Sequence, residues 1–305
     1  MDLNPELTIC IVTQKARAYL RDCLLSIRDN PYSGGQEIVV VDNFSQDGTL
    51  DMLRGEFTEV RVIANDRNTG YTYPNNQALR AARGQYLMLL NPDTLVLPGT
   101  LETLVDFLKK HPEVGVCGPK VLNVDGTMQK PCRRGEPRPL AILSYFLGLS
   151  ALFQKSKVFG GYLLDYLPED EIQAVDGVSG SCMLIRGAVI EKIGYLDEQF
   201  FAYQEDADFC HRTRQAGWKV YFVPTARLVH FGGRGGSRVQ PFRSIVAWHK
   251  SYYLYYRKNL AKNYFFLLNW IYYGLMFLKF VSAVLINLFR RDKFAGPRRE
   301  SLGIK

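Results

Sequence analysis

Short apolar runs that stop on polar turns constrain this chain more than any other feature. Glu37–Val41 is nearly all apolar and ends in Asp42-Asn43-Phe44-Ser45, and Tyr86–Leu90 repeats the pattern before Asn91-Pro92-Asp93. A strand that is apolar on both faces belongs inside a parallel sheet covered on two sides. Leu7–Thr13, Val60–Ala64, Val114–Pro119, Ser181–Arg186 and Lys219–Phe222 are further predicted strands. Between them, helical spacing recurs over Ala18–Ile27, Pro74–Arg83, Thr100–Lys110 and Asp206–Ala216, while residues 125–170 read as irregular. Strands alternating with helices predict an open α/β sheet, with the ligand crevice at the carboxyl ends of its strands.

Asp42 and Asp93 therefore fall on one sheet edge. The turn after the first strand, Thr13-Gln14-Lys15-Ala16-Arg17, has no glycine, and no Walker A loop occurs, which disfavours a dinucleotide or P-loop enzyme. Carboxylates on such an edge suit a nucleotide diphosphate reached through Mg²⁺ or Mn²⁺. A third acidic segment carries Glu205, Asp206 and Asp208 among Phe200, Phe201, Tyr203 and Phe209. Acids among aromatics are costly to bury unless chemistry or a cation uses them, although acids also favour a helix start. Simpler roles stay open for single residues: helix caps for Asp42 and Asp47, a turn for Asp93, a core histidine for His230, an ion pair with Asp208 for Arg212.

The net charge of +8 is concentrated in 128–138 and 243–299, which suits an anionic partner. Nucleic acid is disfavoured, because the aromatics sit in apolar helical runs rather than interleaved with Lys and Arg on strands. Cys10, Cys23, Cys117, Cys132, Cys182 and Cys210 lack CxxC spacing and read as free thiols of a reducing compartment. The N-terminal segment has no signal-peptide pattern, so the domain is expected to face the cytoplasm. Tyr264–Phe289 is almost wholly apolar, flanked by basic residues and long enough to span a bilayer. Lys279 near its middle would cost about 2.5–3.5 kcal/mol in lipid, so spanning, in-plane contact and a plain core helix all stay open. The expected organisation is a domain over 1–240 (a nucleotide half, 1–95, and an acceptor half, 96–240) followed by a membrane-associating helical region, 241–305.

Together, Val41-Asp42-Asn43-Phe44-Ser45-Gln46-Asp47-Gly48-Thr49, Asn68-Thr69-Gly70-Tyr71, Leu90-Asn91-Pro92-Asp93-Thr94, Gly194–Phe201 and Glu205-Asp206-Ala207-Asp208 through Arg212 with Gly217-Trp218 resemble family 2 glycosyltransferases, in particular the rhamnosyltransferase-like branch. The resemblance implies a GT-A fold and inverting transfer from a nucleotide sugar, with Mg²⁺ or Mn²⁺ as cofactor. It assigns Thr13, Asp42, Asn68, Gly70, Asn91 and Asp93 to the donor, Asp93 and His230 to the metal, and Asp206 to the catalytic base. Asn91 stands where the family's metal motif usually has its first acid. Glu205, Asp208, Arg212 and Arg234 are expected to support the base or meet the acceptor, the last from a Gly-rich stretch that otherwise reads as a linker. The donor implied is dTDP-L-rhamnose, with another dTDP- or UDP-sugar as runner-up. A lipid-linked saccharide at the cytoplasmic membrane face is the expected acceptor, docked beside Arg133, Arg134 and Arg138. The competing expectation is a non-enzymatic membrane-associated protein that binds glycans or a partner on the same fold.

Overall fold

The computed structural model describes residues 5–153, 155–232 and 241–289. In chain order the strands are β1 (Leu7–Thr13), β2 (Gln36–Asp42), β3 (Arg61–Ala64), β4 (Tyr86–Leu90), β5 (Thr94–Val96), β6 (Val114–Leu122), β7 (Arg133–Arg134), β8 (Gln173–Ala174), β9 (Gly177–Val178), β10 (Cys182–Arg186) and β11 (Lys219–His230). The helices are α1 (Arg17–Asp29), α2 (Thr49–Glu56), α3 (Thr72–Ala81), α4 (Thr100–Lys110), α5 (Pro139–Phe146), α6 (Leu149–Leu152), α7 (Gly187–Ile193), α8 (Glu205–Gln215), α9 (Pro241–Tyr255) and α10 (Phe266–Phe289).

One mixed sheet runs β3-β2-β1-β4-β10-β6-β11-β5. β1, β2, β3 and β4 are mutually parallel, whereas β10 runs antiparallel between β4 and β6. All residues of β1 and β4 are buried, as their apolar composition requires. β11 is longer than its apolar start indicates. A register shift between Val223 and Arg227 lets it continue to His230, where it pairs antiparallel with β5. That extension carries His230 to the loop after β4.

A second apolar cluster lies apart from the sheet core. Ala141 and Ile142 of α5, Tyr162, Leu163 and Phe200 pack there with Tyr252, Tyr255, Tyr256, Leu260, Tyr272 and Met276 from the tail. The tail is thus docked on the domain, and the sequence boundary at residue 240 does not separate two cores. α10 is long and apolar enough to cross a membrane, yet only Tyr272 and Met276 on it are buried. Its Lys279 faces the domain, with the amine 4.0 Å from the Phe146 ring centre and 4.1 Å from that of Trp248. A lysine so placed is shielded from lipid on that side.

Candidate active site

The parallel strands β1, β2 and β4 end on one edge, and a crevice of about 510 Å³ opens there. Thr13 and Asp42 are register partners at the ends of β1 and β2. Both are buried, and Thr13 Oγ1 and Asp42 Oδ1 have no hydrogen-bond partner among the described residues. Asp42 Oδ2 accepts from the Ser45 amide at 3.2 Å, which orients the carboxylate. Two unmet buried oxygens side by side suit the polar edge of a ligand such as a nucleobase.

Asn43, the next residue, organises the neighbouring loop. Its Nδ2 donates to the Gly70 carbonyl at 2.7 Å and to Asn68 Oδ1 at 3.2 Å, while Oδ1 accepts from the Thr69 amide at 3.1 Å. Gly70 has φ +94°, and a Cβ there would lie 2.4 Å from the Phe201 carbonyl oxygen. Gly70→Ala is therefore expected to cost roughly 1–3 kcal/mol in stability or to displace the loop and weaken donor binding. Melting temperature and donor calorimetry on the same variant check this; unchanged values for both would contradict it.

The loop after β4 holds Asn91 and Asp93. The Phe231 amide donates to the Asp93 carbonyl at 2.9 Å, which ties this loop to the end of β11. His230 Nε2 lies 3.2 Å from Asp93 Oδ1 and 3.3 Å from Asn91 Nδ2, and His230 Nδ1 is held by Gln129 Oε1 at 2.9 Å. If the Nδ1 proton goes to Gln129, the Nε2 lone pair points at the carboxylate. The separation matches adjacent ligands of one small divalent cation, about 3 Å apart when each bond is ~2.1 Å. The donor set is two residues; among the described residues no cluster of three or more His, Cys, Asp or Glu converges.

Asp206, in the first turn of α8, forms the opposite wall. Its Oδ2 accepts from the Gly180 amide at 2.9 Å and from the Arg134 guanidinium. Arg134 comes from β7, pinned to β9, and also donates to the Val178 carbonyl at 3.2 Å. The carboxylate is thus held by a mostly buried cation. Glu205, beside it, is buried and lines the crevice. Burial first, then the Asp206 charge, pushes its carboxyl up to about 8. Tyr71 donates to the Gly180 carbonyl at 2.8 Å and Asn91 Oδ1 at 3.1 Å, linking the two walls. Burial, then Glu205 and Asp206, raises its phenol.

Of the residues expected from sequence, Asn68, Gly70, Asn91, Asp93, Glu205, Asp206 and His230 line the crevice together. Thr13 and Asp42 do not, although their chain neighbours Val12, Gln14 and Asn43 do, and neither do Asp208 and Arg212. Asp208 is fully buried and takes Arg212 Nε at 2.8 Å, Asn259 Nδ2 at 3.0 Å and Lys258 Nζ at 2.8 Å. Arg212 also caps the Ile193 and Tyr195 carbonyls. This pair anchors α8 and the tail. Arg234 lies outside the described residues. In the basic insert, Arg133 is buried on the Pro168 and Leu167 carbonyls, Arg134 meets Asp206, and Arg138, still exposed, pairs with Glu136. All six cysteines are buried and free. Sequence reading gave Arg134 to the acceptor and not to Asp206, and missed Asn43 and the tail residues Arg243, Ala247, Trp248 and Tyr252, which also line the crevice.

The pattern of "Glycosyl transferase family 2" matches residues 8–163, and that of "Glycosyl transferase family group 2" matches 86–290. The chain is 27% identical over 230 residues to the N-acetylglucosaminyl-diphospho-decaprenol L-rhamnosyltransferase of Mycobacterium tuberculosis, covering 72% of this chain and 73% of that one. It is 26% identical to rhamnosyltransferase WbbL of Escherichia coli K12, over 64% of this chain and 73% of the relative. Among solved structures, GalNAc-T7 with UDP, GalNAc and Mn²⁺ superposes with a TM-score of 0.58 at 19% identity, over 84% of this chain. The chain spans 50% of that structure's length. S. aureus TarS 1-349 in complex with UDP gives 0.53 at 17% identity, over 84% of this chain and 66% of that one. These likenesses fix the fold: an open, mostly parallel sheet of GT-A type flanked by helices, with an apolar C-terminal helix.

Proposed function

From the premise that this chain belongs to glycosyltransferase family 2, we propose that it moves L-rhamnose from dTDP-rhamnose onto a lipid-linked glycan, with inversion, at the cytoplasmic face of a membrane. The carrying observation is the opposed pair of walls: Asp93 with His230 on one side, and Asp206 held by Arg134 and the Gly180 amide on the other. The rhamnosyltransferase relatives support the sugar, and the diphospho-decaprenol name of one supports the acceptor class.

Asp206 is the base. Its carboxylate takes the acceptor hydroxyl proton as that oxygen bonds to the anomeric carbon and the bond to the nucleoside diphosphate breaks. Arg134 and Gly180 hold Oδ2 and the Ala207 amide meets Oδ1 at 2.7 Å, so the carboxylate is presented without reorganisation. Thr13 and Asp42 receive the base of the nucleotide, and Asn43 holds the 68–70 loop against it. Asp93 and His230 would hold Mg²⁺ or Mn²⁺, which supplies charge compensation for the departing diphosphate. A single displacement with one base inverts the anomeric centre.

The outer crevice and α10 support a membrane-presented acceptor. Trp248, Tyr252, Tyr145 and Tyr162 line the opening, and α10 exposes Phe266, Trp270, Phe277 and Leu278. Flotation with anionic liposomes is the check: the full chain should rise with the vesicles, and a triple variant Trp270→Glu, Phe277→Glu, Leu278→Glu should stay down while melting normally. A full chain that ignores vesicles at low salt contradicts the membrane reading. Calorimetry with dTDP-rhamnose against UDP-sugars tests the donor, and tight UDP-sugar binding without dTDP-rhamnose binding would overturn that choice.

A further inference from the structure

The residues just before Asp206 carry unmet polar groups. Gln204 and Glu205 are 3% and 5% exposed, both line the crevice, and Gln204 Oε1 and Glu205 Oε2 have no hydrogen-bond partner among the described residues. A buried oxygen without a partner loses its hydration and gains nothing for it, unless a ligand arrives. The backbone there is strained as well. Tyr203 and Gln204 adopt φ of 69° and 62°, successive left-handed non-glycine residues at the entry to α8. Such conformations persist where the surrounding structure holds them, and they concentrate at functional sites. Here Ser251 of the tail bonds the Ala202 carbonyl at 2.7 Å, and Phe200 is buried in the second apolar cluster, so the segment is clamped on both sides.

The ionisation of Glu205 follows from its neighbours. Asp206 is adjacent and its carboxylate engages Arg134. Tyr71 also lies near, but its hydroxyl donates toward Gly180 and Asn91. Glu205 thus has a like charge beside it and a cation already engaged by that charge. Its carboxyl is pushed up to about 8, by burial first and by Asp206 second.

We propose that Gln204 and Glu205 form the polar floor of the acceptor-sugar subsite, with Glu205 working as a neutral carboxylic acid. Its O–H donates to one oxygen of the acceptor sugar, and Gln204 Oε1 accepts from a neighbouring hydroxyl or amide N–H. Trp248 and Tyr252 line the same crevice. This assignment rests on the glycosyltransferase reading above and adds which residues select the acceptor.

The test is acceptor KM, kcat and donor Kd for the full-length wild type, Glu205→Gln, Glu205→Ala and Gln204→Ala. Glu205→Ala and Gln204→Ala should raise acceptor KM by about tenfold or more with donor Kd unchanged. Wild-type acceptor KM should rise roughly tenfold from about pH 7 to about pH 9 as the carboxyl loses its proton. Glu205→Gln, which keeps a donor and cannot ionise, should lose that alkaline rise. A wild-type KM flat over this window, or the same rise in Glu205→Gln, overturns the neutral-acid role. A Glu205→Gln variant whose kcat collapses as far as that of Asp206→Asn overturns it too, because the carboxylate would then be the working form. Failure of the glycosyltransferase reading is separate: it would appear as absence of transfer by the wild type.

Discussion

Asp206→Asn is expected to lower kcat by about 10²–10⁴-fold while donor affinity stays within about twofold. The amide keeps the shape of the side chain and can still accept from the Gly180 amide, so donor binding is preserved, while the loss of the buried Arg134 partner lowers the melting temperature. The amide cannot take the acceptor proton. The adjacent Glu205 stays buried in the variant, and burial, the largest cause of its raised carboxyl, still disfavours the charged form a base would need. Single-turnover kinetics with saturating donor measure this. An active Asp206→Asn together with a dead Glu205→Gln would move the base to Glu205. Arg134 supplies a second readout: Arg134→Met leaves Asp206 buried without its cation, so kcat should fall with donor Kd unchanged.

The second large effect concerns the Asp93–His230 pair. Asp93→Ala is expected to remove Mn²⁺ binding by the donor complex and to lower kcat/KM by about 10²-fold or more. His230→Ala should do less, since the imidazole is one neutral ligand and the carboxylate carries the charge. Mn²⁺ binding followed by spectroscopy in the presence of donor gives a readout independent of turnover. Full activity in EDTA would reject the metal. Unchanged Mn²⁺ affinity in His230→Ala would reject only the histidine.

The sequence was most readable where neighbours in the chain decide the structure. The apolar runs at Leu7–Thr13 and Tyr86–Leu90 and the helix Thr100–Lys110 have the predicted bounds, because strand and helix periodicity are local. Arg212 could be paired with Asp208 from its position one turn later, and the structure has that contact at 2.8 Å. Distant partners hid the rest. β11 continues past Phe222 because β5 and β6 receive its second half, although Pro224 and Arg227 break its apolar pattern. The stretch expected to be irregular contains α5 and α6 and is ordered partly by Arg133, buried on carbonyls about thirty residues away. Arg134 meets Asp206 across 72 positions, so no spacing rule could join them. Trp248, Tyr252 and Tyr256 are spaced as one helical face, but only the fold reveals that this face closes the crevice as well as the second core.

The most direct test of the account is transfer itself. Full-length protein is incubated with dTDP-rhamnose, Mg²⁺ or Mn²⁺, and a polyprenyl-diphosphate N-acetylglucosamine in vesicles, and the lipid product is examined by mass spectrometry and anomeric NMR. The account predicts a product heavier by one deoxyhexose, with the anomeric configuration opposite to the donor's and at most about 1% of that product from Asp206→Asn in the same time. A product with retained configuration, or no transfer from any dTDP- or UDP-sugar by a folded protein that binds its donor, would contradict it.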